Sequence, residues 1–524
     1  MVVVVCAAIN LSIYLLRRGR EADYENELDE ANRIGLVSPF EGYFYPIPSE
    51  LRTPTWVSAV GGLLPPPSLP NLQSQSPAGL LTVRRRGRTF VLTFGHAWTK
   101  LEPRWLEHDF GRRVALNLIR ENDLVEIRAE QVFARWHVAS ERAPRATSVD
   151  EFGVEFERDL VAAVEGLSSE SIFGKIVRGA TSFRCSADIS KLPSLLDRSL
   201  TLFASNAYTK RWPDIDNLSP VTDPIKVAAL EQKLDADLAA GHGTRLVVLS
   251  TPSQRRGEAL TAASYVFGRL AKNPATTPYL TFPGWEGYAQ RHNIPLTVEG
   301  ARKTPIHLLD EDANEAGECT AYDCFGYEAD FNNQPHILSS GIWYEAVPNF
   351  VAKINRIIGQ LGPPARGLAA WNGTDEEGVY NAGCANGDKS FLHFDAKNVW
   401  YGGAGSRFEF CDLMHLRSKT LYFAKIPLRS SHMSHLVEQV RRTVGLFFNP
   451  DASFRKALHK KVKAHYANQA EDWLNSRPQT GEWTLCFVSL GRTAKSLPFF
   501  AKCSLANACN DLRRSGHKVA FLKV

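Results

Sequence analysis

No two of the nine cysteines are spaced Cys-x-x-Cys, and no Cys/His cluster has zinc-ligand spacing. A structural zinc site is therefore excluded, and reduced thiols in a cytoplasmic protein are expected. There is no Gly-rich Walker loop. "GGAG", Gly402 to Gly405, lacks the following Lys and Ser/Thr and reads as a turn, so ATP use is not indicated. There is no Gly-x-Ser-x-Gly elbow, so "SSH" (430–432) beside Asp412 makes no serine triad. No apolar run reaches membrane-spanning length. "MVVVVCAAINLSIYLL" is short and interrupted by Asn10 and Ser12, and its positive charges follow it instead of preceding it. Its Val, Ile and Tyr suit a buried strand over "INLSIYLL". Internal repeats and long low-complexity segments are absent too.

What is present is a chain of 524 residues, 44 % hydrophobic and 22 % charged, long enough for more than one domain and a large core. Its net charge of +5 hides an asymmetry. Phe391 to Val524 holds 21 Lys and Arg against 9 Asp and Glu, a net +12, while the remainder holds 40 against 47, a net −7. A basic C-terminal third on a slightly acidic body suggests an anionic partner for that third, although lysine spread for solubility is the bland account.

Along the chain, "LLPPPSLPNLQSQSPAG" (63–79) is a Pro/Ser-rich loop. "LLTVRRRGRTFVLTFG" reads as two strands around a turn at Arg86-Gly87. "IKVAALEQKLDADLAAG" is a helix with Val227, Leu230 and Leu234 on one face, ending at Gly241, and "GTRLVVLSTP" is a strand. "VPNFVAKINRIIGQL" is a helix that stops at "GPPARG", Gly362 to Gly367, the best domain boundary. The expected organisation is an α/β chain. Residues 1–361 form a mixed α/β region with a further division near 210–240, and 368–524 form a basic C-terminal domain.

Within that domain the order is an acidic helix over "TDEEGVYN" capped by Thr374 or Asp375, and strands in "KSFLHFDAKNVWY". The hairpin "FEFCDLMHLRSKTLYFAKI" follows, and then a helix over "SSHMSHLVEQVRRTVGLFF" capped by Ser430 or Ser431. A further helix, "ASFRKALHKKVKAHYANQ", sets Phe454, Leu458, Val462 and Tyr466 in one stripe, with Arg455, Lys456, His459, Lys460 and Lys463 over much of the rest. These cations suit nucleic-acid phosphate, or equally a solvated helix face.

The hairpin raises the question of chemistry. A metal-dependent nuclease needs carboxylates for Mg²⁺, a metal-polarised phosphate and water, and a lysine at the scissile phosphate. Asp412 lies in "FEFCDL", which reads as one strand, and Lys425 lies on its partner. A turn near Arg417 to Ser418 would set the two near-opposite. Glu377 would supply an acid from the preceding helix, Asp395 or Glu409 further ligands, and Gln439 and Arg441 contacts from the following helix. The site expected is Glu377, Asp412 and Lys425, with Mg²⁺ on Glu377 and Asp412.

This order resembles the restriction-endonuclease-like superfamily, whose pattern is acid, aspartate, then acid-x-lysine. Here the last element is "FAK", so Phe423 stands where an acid is expected. More broadly, "LSIYLLR", "RTFVLTFGHAWTKL", "DFGRRVALN", "SSGIWYEA", "EGVYN", "FEFCDLM", "LYFAKI", "SSHMSHLVEQ" and "LPFFAKCSL" occur in order along nearly the whole chain. Together they resemble a sporadically distributed bacterial family of unknown function. That resemblance implies a cytoplasmic protein near phage-defence or mobile-element loci and brings no established reaction.

The expected function is thus a defence-associated, Mg²⁺-dependent nuclease or nuclease-derived effector acting on nucleic acid, without a membrane. The alternative is a non-catalytic nucleic-acid- or protein-binding module that senses phage or mobile elements, with a phage or neighbouring-gene protein as partner. Two minor features compete. His96 in "FGHAWTK" reads as a buried strand-end histidine more readily than as a general base. His415, His432 and His435 near Asp412 would suit a transition metal, although cap and surface roles explain them as well.

Overall fold

The computed structural model describes residues 8–524 apart from 29–31, 52, 54–56, 58–59, 62, 65–71, 132–136, 155–158, 253–261, 272–273, 312, 395–398, 401–406 and 466–475. The fold is α/β. The chain divides into two compact units. One comprises Met1–Glu130, Val138–Val154 and Leu160–Asp216, and the other Gln131–His137, Glu155–Asp159 and Asn217–Val524. Among the described residues no helix is long and apolar enough to cross a membrane.

The first unit is built on a ten-stranded sheet. The apolar N-terminal run forms its inner strand β1 (Ile9–Leu15), with Leu11, Ile13 and Leu15 buried. β1 lies antiparallel between the strand pair β2 (Ala78–Arg85) and β3 (Arg88–Phe94) on one side and β4 (Phe183–Ala187) on the other. β2 and β3 join at Arg86-Gly87, where both residues have positive φ (48° and 69°), as a tight hairpin turn of matching twist requires. Helices α1 (Phe110–Leu118) and α2 (Leu192–Ala204) pack on each other. His96 is exposed, which corrects the buried reading. Gly95, at φ 59°, turns the chain out of the strand, so Ala97 is buried instead.

The second unit begins with α3 (Pro224–Ala239), capped by Asp223, whose carboxylate accepts from Ile225 N. Leu230, Leu234 and Leu238 face a five-stranded sheet ordered β5 (Leu218–Pro220), β9 (Ile342–Ala346), β8 (Gln334–Ser339), β7 (Phe325–Phe331), β6 (Val248–Leu249). "GTRLVVLSTP" is less extended than expected. Gly243–Leu246 is a helical turn and only Val248–Leu249 pairs, because the partner strand β7 meets it at just Phe325 and Gly326. A three-stranded sheet (Ser264–Phe267, Pro305–Leu309, Glu315–Thr320) completes this part. Helix α4 (Pro348–Gly359) then packs its Phe350 edge-on to Phe499.

After "GPPARG" comes a second five-stranded sheet. Its order is β10 (Phe391–His393), β11 (Leu413–His415), β12 (Thr420–Lys425), β13 (Thr484–Ser489), β14 (Lys518–Lys523). β10, β11 and β12 form an antiparallel meander, whereas β13 and β14 run parallel to β12. Parallel neighbours need crossovers. These contain α6 (Ser430–Phe447), followed by α7 (Ser453–His465), and α8 (Phe499–Arg514). The linking segment lies against this sheet, since Gly362 O accepts from Phe521 N and Arg366 O from the Tyr422 hydroxyl.

Helix α5 (Glu377–Gly387) precedes β10 and packs Tyr380 and Cys384 on Tyr422 and Ala424. Strand alternation leaves Leu421 and Phe423, both fully buried, for the opposite face, where α6 packs. "FEFCDL" is not one strand. Arg407–Phe408 pairs with Val399–Trp400, and the ladder with β12 starts at Leu413, next to a backbone bond from Asp412 N to Tyr422 O. Phe408 and Phe410 are drawn off by ring contacts with Phe454, from α7, the first edge-on and the second tilted.

Candidate functional site

The β11–β12 hairpin turns over Leu416–Lys419, with Lys419 N on Leu416 O and Lys419 at φ 47°. Its register begins with Leu413 opposite Tyr422, and the preceding residue, Asp412, also gives its N–H to Tyr422 O at 3.0 Å, three residues short of Lys425. Asp412 is 6 % exposed, and its carboxylate accepts the Ala424 N–H at 2.5 Å. Lys425 closes β12, and its Nζ donates to Glu377 Oε2 at 2.6 Å. The other Glu377 oxygen accepts the Ile426 N–H at 2.8 Å. Glu377 opens α5, where a negative side chain meets the positive end of the helix dipole. The residue before it, Glu376, occupies the cap position without a side-chain cap bond, in place of Thr374 or Asp375. Those two instead give their N–H groups to Asn372 Oδ1.

Beyond Lys425 the chain turns into α6. Arg429, not Ser430 or Ser431, stands at its cap position, and no side chain there caps the helix. The reason is that Ser430 Oγ donates to Glu328 at 2.7 Å instead of turning back on its own backbone. Glu377, Lys425, Arg429, Ser431, His432 and His435 line an open cleft of about 410 Å³. His432 donates through Nδ1 to Ile426 O at 3.0 Å, which orients the ring. Burial pulls the Arg429 guanidinium below its ordinary pKa, and its buried Nε has no hydrogen-bond partner. One carboxylate, two permanent cations and a helix N-terminus therefore meet in one cleft, an arrangement that attracts an anion.

Glu377 and Lys425 thus meet directly, and Asp412 is held by the same strand through Ala424. Ala424 and Ile426 are two residues apart, an advance of about 6.5 Å along an extended chain, so the two carboxylates occupy neighbouring positions, not a shared one. Magnesium prefers near-octahedral oxygen ligands at about 2.1 Å. Here each carboxylate takes a backbone N–H, Glu377 also takes the Lys425 ammonium, and Phe423 contributes no oxygen. As they stand these residues do not fit a tightly held Mg²⁺. Glu409 is half-buried beside Phe410, and Asp395 lies outside the described residues.

The expected nucleic-acid residues divide. Lys456 and Lys460 are exposed on α7. Arg455 is turned inward, 2 % exposed, with Nη1 on the carbonyls of Phe447 and Asn449 at 3.2 and 2.5 Å. It satisfies the C-terminal end of α6, which explains why a cation sits beside an apolar stripe. Arg441 donates to Glu438 and Asp511. Gln439 is half-buried, with its Nε2 lacking a hydrogen-bond partner. The Lys463 side chain and Tyr466 lie outside the described residues. Of the three histidines, His415 is engaged through Nδ1 with Ser418 Oγ at 2.7 Å, apart from the cleft that His432 and His435 line.

Sequence reasoning missed Arg429, although a cation directly before the Ser-Ser start of a helix is a usable signal. It also missed Glu328, which only tertiary packing brings to Ser430. Among the described residues, one group of three potential metal ligands has its atoms within 4.8 Å, namely His307, Glu315 and Glu318. There His307 lies opposite Glu318 in the strand register, and its Nδ1 meets Oε1 of Glu315, the residue opposite Leu309, at 2.6 Å. The eight cysteines among the described residues are buried and free. Cys319 and Cys324 bring their sulfurs to 3.5 Å as a thiol hydrogen bond.

The sequence profile of a family of unknown function (DUF6119) matches residues 11–524, and the chain belongs to that family. No curated protein matches it.

Proposed function

We propose that this family member is a nuclease-derived effector that grips a nucleic-acid phosphate in the Lys425–Arg429 cleft and serves in defence against phage or mobile elements. The observation that carries this reading is the convergence of Lys425, Arg429 and the uncapped N-terminus of α6 on one open cleft. Such a site offers charge-assisted and backbone donors to phosphate oxygens. Further support comes from the order helix, antiparallel three-strand meander, helix, parallel strand, with acid, aspartate and lysine in sequence along it. The basic surplus of residues 391–524 supplies a sequence-independent attraction. The defence role is supported by the ordered resemblance of the motifs. Residues 368–524 are the part to which we assign nucleic-acid contact.

Asp412 on the Ala424 N–H and Glu377 on the Ile426 N–H two residues further on favour a second reading, a Mg²⁺-dependent nuclease. One set of measurements separates the two. The intact protein is titrated with single- and double-stranded DNA and RNA over a salt series, and the same substrates are followed for cleavage with Mg²⁺. The first reading expects salt-sensitive binding that weakens in Lys425→Ala and Arg429→Ala, without cleavage. Cleavage that Mg²⁺ switches on and that Asp412→Ala and Lys425→Ala abolish would establish the second. Absence of binding to every substrate at low salt would refute both.

A further inference from the structure

In the three-stranded sheet of the second unit, Pro305–Leu309 returns as Glu315–Thr320 through a turn that Asp310 fixes by accepting the Asn314 N–H at 2.8 Å. The stretch "DEDANEAGE" (310–318) carries five carboxylates in nine residues, without a lysine or an arginine. Ile306, Leu308 and Cys319 belong to the apolar core. Alternation therefore gives His307 and Glu318, which lie opposite each other, the other face of the sheet. Glu315 is three residues before Glu318, and regular alternation would turn it to the core. A bulge prevents this. Leu308 lies opposite Gly317 and Leu309 opposite Glu315, so Ala316 is the extra residue. Ala316 packs on the core, and Glu315 is turned towards His307.

The result is a compact group of one imidazole and two carboxylates, with ligand atoms within 4.8 Å of one another. His307 is 8 % exposed, aims Nδ1 at Glu315 Oε1 2.6 Å away, and has no partner outside the group. Both glutamates are exposed, and among the described residues neither is paired with a lysine or an arginine.

We propose that His307, Glu315 and Glu318 bind a divalent first-row transition-metal ion such as Zn²⁺. The donor set selects the class of ion. An imidazole nitrogen beside two carboxylates suits zinc and its neighbours, whereas magnesium and calcium take oxygen ligands. Bonds of about 2.0–2.2 Å to a four-coordinate ion set its ligand atoms roughly 3.4 Å apart. The His307–Glu315 contact opens to that value, and the exposed Glu318 side chain moves to meet the ion without disturbing the core. A hydrogen bond between His307 and Glu315 accounts for two members of the group and leaves the Glu318 charge uncompensated, whereas a divalent cation neutralises both carboxylates. Three protein ligands leave a position open to water or another donor. The ion would tie the edge strand Glu315–Thr320 to its neighbour. The site shares no residue with the Lys425 cleft, so it stands whether or not that cleft holds nucleic acid.

The test uses the full chain, stripped with a chelator and titrated with Zn²⁺ by calorimetry, with Mg²⁺ as a second arm and Co²⁺ for its visible spectrum. One Zn²⁺ is expected to bind per chain, and Mg²⁺ far more weakly. Loss of a direct ligand costs at least what loss of a partner behind one does, so Glu315→Gln and Glu318→Gln are each expected to weaken Zn²⁺ about tenfold or more. Both replaced side chains are exposed, so these variants fold, whereas His307→Ala also opens a buried position and is read only beside them. His96→Ala, an exposed histidine elsewhere, is expected to leave the affinity unchanged. Bound Co²⁺ is expected to show visible bands without thiolate charge transfer. Absence of saturable Zn²⁺ binding below about 1 mM would overturn the proposal. So would wild-type affinity in both glutamate variants, or Mg²⁺ bound as tightly as Zn²⁺.

Discussion

Replacing Glu328 by Gln should stabilise the protein at alkaline pH and leave it unchanged at acid pH. Glu328 sits on β7 and takes a hydrogen bond from Ser430 Oγ at 2.7 Å. Burial raises it from 4.5 to about 7, with the Asp330 charge adding and the Ser430 bond opposing. An acid raised on folding binds its proton more tightly in the folded than in the unfolded chain. Stability therefore falls as pH rises from the unfolded value through the folded one, and the full cost is present above about pH 7. Each pKa unit is worth about 1.4 kcal/mol, so the ceiling is roughly 3 kcal/mol. Glu328 is partly exposed, so solvent screens the carboxylate, and about 1–2 kcal/mol is the expected size. Gln keeps an oxygen for Ser430 and never ionises. Urea unfolding of both proteins near pH 5 and near pH 8 reads the difference as a change in midpoint at constant slope. The two curves should coincide at the lower pH and separate at the higher one, with the variant more stable. A gap that stays constant between the two pH values would refute the assignment of Glu328 as a buried, raised acid.

Asp412→Ala removes the acceptor of the Ala424 N–H and should cost about 1–3 kcal/mol in chemical denaturation, with Asp412→Asn losing less. Glu377→Ala frees Lys425 and Ile426 N together; because the pair is partly exposed, about 1 kcal/mol is expected, and a wild-type midpoint would show the contact to be idle. Phe423→Glu places an acid at the position the nuclease pattern would fill, but this side chain is fully buried, so the variant should unfold at much lower urea than the parent, by several kcal/mol, and show no Mg²⁺-dependent cleavage. Exchanging Lys456 and Lys460 for Gln should reduce the salt slope of nucleic-acid binding, whereas Arg455→Ala should lower thermal stability and leave that slope alone, because its guanidinium is spent on the end of α6.

Features carried by neighbouring residues were legible in the sequence. The apolar spacing of Leu230 and Leu234 and the stop at Gly241 give α3, and Phe454, Leu458 and Val462 give α7. The turn at Arg417 to Ser418 placed Asp412 close to Lys425 in register, and the acid of the preceding helix, Glu377, reaches that lysine. What escaped was set by partners far along the chain. Ser430 looks like a cap by type, yet Glu328, 102 residues away, takes its hydroxyl. Arg455 looks like surface charge, yet the carbonyls that end α6 lie beneath it. "FEFCDL" alternates like a strand, yet its phenylalanines are claimed by α7 before the ladder with β12 starts at Leu413.

The position of Phe423 shows how alternation and strand ends together shape the site. On β12, Tyr422 and Ala424 face α5, while Leu421 and Phe423 face the opposite side. By the same alternation Lys425 follows Phe423, but it is the last residue of the strand, where the sheet no longer covers it. A long aliphatic stem then carries its ammonium out to Glu377. An acid at 423 would have no such exit, being short and under α6. The side chain that breaks the nuclease pattern is thus a core residue, and the cation two residues on is free of the core's demand for apolar surface. Under the proposed function, the electrostatics at this end of β12 fall to its last residue, Lys425, to Arg429 beyond it, and to the helix that begins there. That distribution favours holding a phosphate over polarising one.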